Sequence, residues 1–226
     1  MVYTLVARVS AKDEASLQKI LDSEAFHAYV LHSQTHEARA TLSFEVFRPD
    51  EQNDATAEGE QGKRPSFIAI ERFASKIAFD HHVKSEATKA WHARHEAELE
   101  IQSEPVFYLE EPISHDMHGE LKASALPKDG NDGSVYANLV TISAKDEDSL
   151  SELCDAMTPL VHHTLTKETG CLSFEIMRPY HHTTPPSLTL CRRFVERDDC
   201  HYVHMQSRQM VELKAYFASN QERLGL

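Results

Sequence analysis

Apolar and polar residues alternate near the start of the chain and again past its midpoint, in "VYTLVARV" and "VYANLVTI". Alternation of this kind suits a strand with one covered face. After each run the period changes. Leu17, Ile20 and Leu21 recur at helical spacing in the first half, and Leu150, Leu153, Met157, Leu160 and Val161 do so in the second. Asp13 and Asp146 stand just ahead of these stretches, where a short carboxylate accepts hydrogen bonds from the free N–H groups of a first helical turn. Two strand-like runs follow in each half: "TLSFEVFRP" and "SFIAIERF", then "CLSFEIMRP" and "SLTLCRRF". Long helical stretches come next, beginning at Ser75 and Arg197, and "PVFYLEE" supplies a further strand in the first half.

The halves therefore repeat one another. "SAKDEASL" at Ser10 returns as "SAKDEDSL" at Ser143, and the LSFE phrase at Leu42 returns at Leu172. A period this long denotes two copies of a domain rather than a solenoid. Each copy reads βαββαβ, so the expected class is α+β, with two fused ferredoxin-like units. The expected boundaries are residues 1–110 and 134–226, with 111–133 as a linker of turn residues without sustained period. The chain stops at Leu226, about where the second copy's fourth strand would begin.

Charge and cysteine usage narrow the partners. Thirty-six acidic residues against twenty-three basic ones leave a net charge of −13, which repels a phosphate backbone, so no nucleic acid is expected. Cys154, Cys171, Cys191 and Cys200 show no metal or redox spacing and read as reduced thiols. No run approaches a membrane span and the N-terminus lacks a signal-peptide pattern. A cytoplasmic protein with no membrane partner is the expectation.

The second helix of each copy carries a more specific pattern. The first copy has "ERFASKIAFDHHVKS", with Glu71, Phe73, Ser75, Ala78, Phe79, His82 and Ser85 in order. The second has "RRFVERDDCHYVHMQS", which keeps Phe194, His204 and Ser207 if one extra residue is allowed, and places Arg192 where the first has Glu71. With the "TGCLSFE" strand, these motifs resemble the antibiotic biosynthesis monooxygenase family, a branch of the dimeric α/β-barrel superfamily. The resemblance covers both copies. It implies an intramolecular pseudo-dimer in which two ferredoxin-like sheets face each other, with further self-association left open. It also implies oxygenation of phenolic or anthrone-like substrates without flavin or metal, hence no cofactor. A small apolar or aromatic substrate and dioxygen would be the partners.

On that resemblance His82 is the candidate base, with Ser85 as polar anchor and His204 as its counterpart in the second copy. Histidine suits proton transfer near neutral pH. His82 and Ser85 share a helical face, as do His204 and Ser207, though all four also fit as ordinary helix-start residues. Phe73 and Phe194 are candidates to line a substrate pocket or to fill a core. Glu45 and Glu175 recur in mid-strand as candidate substrate contacts, or as cross-strand partners of Arg72 and Arg193. Asn138 falls where the first copy has Leu5 and could serve a cavity, or its strand could simply be a sheet edge. Fifteen histidines invite a metal, but His92, His95 and Glu96 on one face, and His201 with His204 on another, form no complete ligand set, so none is expected. Three functions remain open: a cofactor-independent monooxygenase, a cofactor-free isomerase, cyclase or lyase, and a non-catalytic small-ligand or stress protein.

Overall fold

The computed structural model describes residues 2–35, 40–49, 64–99, 102–110, 135–181 and 183–225. The expected linker at 111–133 lies outside these residues, as does most of the acidic stretch that follows Pro49. The chain divides into two compact units, Met1–Tyr108 and Leu109–Leu226.

Unit 1 contains β1 (Tyr3–Ser10), α1 (Glu14–Leu21), α2 (Glu24–Thr35), β2 (Thr41–Phe47), β3 (Ser66–Phe73), α3 (Lys76–Lys84) and α4 (Glu86–Leu99). β4 (Gln102–Glu110) follows and runs across the division point. The strand order β2-β3-β1-β4 is the ferredoxin-like order. Asp13 caps α1 by accepting from Ser16 N–H at 2.7 Å, as its place in the sequence predicts. The predicted second helix is two helices. Ser85 adopts extended backbone, ends α3 and caps α4, its Oγ accepting from Thr88 N–H at 3.2 Å.

Unit 2 contains β5 (Tyr136–Ser143), α5 (Glu147–Lys167), β6 (Cys171–Pro179), β7 (Ser187–Phe194) and α6 (Arg208–Leu224). Its three described strands lie in the order β6-β7-β5. The apolar stripe predicted for α5 is the stripe that is buried: Leu150, Leu153, Met157, Leu160 and Val161 pack on Phe174, Ile176, Leu188 and Leu190 of the sheet. Each such side chain contributes about 1.5–3 kcal/mol relative to exposure. In unit 1, Leu17 and Ile20 of α1 pack likewise with Phe44 and Phe67.

The one-residue mismatch between the motifs has a backbone explanation. His82 follows Phe73 by nine positions, whereas His204 follows Phe194 by ten. A π-helical turn, Asp199–Val203, and a 3₁₀ turn, His204–Gln206, absorb the extra residue before α6 begins. The ring of His204 then reaches Phe194 at 5.3 Å between centroids, matching the 5.0 Å between His82 and Phe73. Gly170 makes room for this turn: a Cβ there would lie 2.2 Å from the Asp199 carboxyl carbon.

Candidate active site

Strand register sorts the candidate residues onto two faces. Glu71 stands opposite Leu5 on β1 and Phe44 on β2, on the face that α1 and α2 cover. Arg192 stands opposite Asn138 and Phe174 in the same relation, so the change from Glu71 to Arg192 occurs at one structural position. Glu45 and Glu175 pair with Ile70 and Cys191 one residue away in register, and side chains alternate across a strand. They therefore lie on the opposite face from the two histidines.

In unit 1 the covered face holds a buried acid–base cluster. His82 is 1% exposed, Glu71 3% and Tyr29 7%. His82 Nε2 lies 2.8 Å from the Tyr29 hydroxyl and 3.1 Å from Glu71 Oε2. The Tyr29 hydroxyl reaches Glu71 Oε1 at 3.3 Å. Local geometry accounts for the His82–Glu71 pair. The turn from β3 into α3 is short, and the Ser75 cap (Ala78 N–H to Oγ, 3.2 Å) sets the helix that carries His82. Tyr29 arrives from α2 and is wedged by aromatic rings: stacked on Trp91 (12°, 5.7 Å) and edge-on to Phe44 (84°, 5.2 Å). Phe73 closes the other side of His82.

In unit 2 the corresponding histidine is held differently. Arg192 Nη1 lies 2.9 Å from His204 Nε2, and a guanidinium only donates, so Nε2 accepts. The ring proton is then on Nδ1, which faces Glu168 Oε2 at 2.9 Å and Thr164 Oγ1 at 3.2 Å. Arg192 also donates to Asn138 Oδ1 and lies over the Phe174 ring. Burial pushes the His204 pKa down, and the Arg192 charge adds to that, while the Glu168 hydrogen bond opposes it. Burial likewise lowers Arg192 and pushes the nearby Cys171 thiol up to about 12, leaving it protonated and unreactive. His204 thus has no free lone pair for a substrate proton. Because its folded pKa lies below its unfolded one, the folded state loses stability as pH falls below roughly 6.5. Histidine NMR should show His204 as the Nδ1–H tautomer, still neutral at a pH just below the ordinary histidine value. Titration of His204 at or above the ordinary value would contradict this assignment.

The structure thus brings Phe73 to His82, and Phe194 and Asn138 to the His204 cluster. The hydroxyls of Ser85 and Ser207 serve as helix caps, Ser207 Oγ accepting from Met210 N–H at 3.3 Å. Glu175 makes the cross-strand pair with Arg193, Oε1 to Nη1 at 2.7 Å, and Ser173 Oγ bonds both. Sequence reading missed Tyr29, Glu168 and Thr164 as partners. Among the described residues no group of three or more His, Cys, Asp or Glu side chains could hold a metal ion. The side chains of His95 and Glu96 lie outside that description. No described helix is long and apolar enough to cross a membrane.

No family model matches the chain, and no curated protein matches its sequence. Solved structures match it along nearly its whole length. A Fusobacterium nucleatum protein whose name proposes a monooxygenase is 14% identical, with a TM-score of 0.69 over 99% of this chain and 87% of that one. A Lactobacillus acidophilus protein similarly named is 10% identical, with a TM-score of 0.68 over 96% of this chain and 88% of that one. A protein described as anthrone oxidase-like is 9% identical, with a TM-score of 0.53 over 98% and 86%. The fold implied by the resemblance to antibiotic biosynthesis monooxygenases, two fused ferredoxin-like α+β units in one chain, is the fold this protein has.

Proposed function

We propose that the protein is a cofactor-independent monooxygenase that acts on an anthrone, quinol or related aromatic polyketide-like substrate, with unit 1 as the working site. The buried Glu71–His82–Tyr29 cluster carries this reading. It is a proton acceptor with its own counter-charge, in surroundings that strengthen the attraction between them. Structures of the same fold with monooxygenase and anthrone oxidase-like names support it.

The chemistry asks little else of the chain. Removing a proton from an anthrone methylene, with His82 as base, leaves an electron-rich carbanion. That anion passes one electron to dioxygen, and the two radicals combine at carbon as a peroxide. Protonation and loss of water leave the ketone, so one CH₂ and one O₂ become one C=O and one H₂O. Glu71 offsets the charge that His82 gains, and the aromatic walls exclude water that would solvate the anion.

Oxygen uptake with a panel of anthrones and hydroquinones tests the proposal. Uptake matched to ketone formation is expected from protein that carries less than one equivalent of flavin, haem or metal by absorbance and elemental analysis. Turnover without oxygen would replace this reading with isomerase, cyclase or lyase chemistry. Binding without turnover would leave a small-ligand protein.

A further inference from the structure

We propose that Tyr29 is a proton switch for His82: its hydroxyl turns between the imidazole and Glu71 and so governs the protonation of the histidine. The kinetic part of this inference rests on the proposed function, and its structural part does not. Tyr29 Oη is 2.8 Å from His82 Nε2 and 3.3 Å from Glu71 Oε1, so one rotor serves two acceptors. When Nε2 is bare, the phenol donates to it. When Nε2 carries a proton, the imidazolium donates to the phenol oxygen and the phenol turns its own proton to Glu71. The ring itself has no need to move, since Trp91, Phe44 and His82 hold it on three sides. The cluster can therefore take up a proton by rotation of one O–H bond, with little reorganisation.

Among the described residues, Tyr29 from α2 and Glu71 from β3 are titratable groups that face His82 Nε2. β1 and β2 set the apolar Leu5 and Phe44 against Glu71. α4 contributes Trp91 and Thr88, whose hydroxyl donates to the His82 carbonyl at 2.8 Å. The two partners act in opposite directions. Glu71 favours the imidazolium, whereas a phenol donating to bare Nε2 favours the neutral ring. Unit 2 supports the assignment independently. There Glu71 gives way to Arg192, and the described hydrogen-bond partners of His204 are Thr164, Glu168 and Arg192, with no phenol among them. The carboxylate and the tyrosine occur together in the unit whose histidine can change its proton.

The test is the substrate-free titration of His82 by histidine NMR in the full chain. In Tyr29→Phe the bare ring loses its donor, while the imidazolium still has Glu71 Oε2 3.1 Å away to accept its proton. The proton affinity of His82 is therefore expected to rise roughly tenfold or more, which is about one pH unit. Site-specific 3,5-difluorotyrosine at position 29, a stronger donor of nearly the same shape, is expected to lower it and keeps the question answerable if the phenylalanine variant folds poorly. In oxygen uptake, the acid limb of the pH profile should move with the NMR titration. A Tyr29→Phe protein that melts earlier but titrates His82 at the wild-type pH would overturn the inference, as would no response to the fluorinated phenol. Shifted titrations without oxygen uptake by the wild type would leave the switch standing and remove the proposed reaction.

Discussion

His82→Ala is expected to lower turnover by roughly 10²–10⁴, the usual contribution of a positioned general base. His204→Ala is expected to lower it far less. The asymmetry follows from how each ring nitrogen is used. The Tyr29 hydroxyl that meets His82 Nε2 can turn to Glu71 and accept instead of donate, so this nitrogen can take up a proton. The guanidinium on His204 Nε2, by contrast, can only donate. Both histidines are buried, and removing either creates a cavity and orphans polar partners, so rates need melting curves beside them. A His82→Ala protein that keeps its melting temperature and loses turnover supports the assignment. If His204→Ala abolishes turnover and His82→Ala leaves it untouched, the working site is in unit 2. If neither changes it, the chemistry does not run through these histidines.

Glu175→Ala is expected to be strongly destabilising, costing about 3–5 kcal/mol because a buried guanidinium loses the carboxylate 2.7 Å from it. Glu175 and Arg193 are each 1% exposed, and Arg193 Nη1 donates to both Glu175 Oε1 and Ser173 Oγ. The pair is diagonal, bridging β6 and β7 beside the bulge between Cys171 and Ser173, and so it helps hold that register. Replacing both partners, as Glu175→Leu with Arg193→Met, should recover most of the loss, since an apolar pair of similar volume leaves no charge buried. Glu45→Ala at the repeated position in unit 1 should cost less, because Glu45 is only half-buried. Denaturant titrations of the four proteins decide this. A Glu175→Ala loss near the roughly 0.5 kcal/mol of a surface change would show that the ion pair is not what holds the strands.

Much of the fold was legible in the sequence because it depends on local pattern. Strand alternation, the stripe from Leu150 to Val161 and the Asp13 and Asp146 caps each need only a few neighbouring residues, and all appear in the structure. The repeat then doubled every such signal. The Glu71–His82 pair was nearly legible as well, since a short turn carries the end of β3 into α3. The break at Ser85 was less so: a serine within a helical period reads equally as surface or as cap, and only the backbone distinguishes them.

The remaining parts of the site required tertiary contacts. Tyr29 lies 53 residues before His82, on a helix whose docking angle decides which side chain meets the imidazole, and no spacing rule connects them. Glu168 lies 36 residues before His204, at the end of α5, and meets it only because a π-turn rotates the inserted segment. Residue types and periodicities along the chain determined the two α+β units, their faces and the histidine in each. Which proton each histidine carries was decided by packing, because a ring nitrogen answers to whichever donor or acceptor the fold brings within about 3 Å, however distant in sequence.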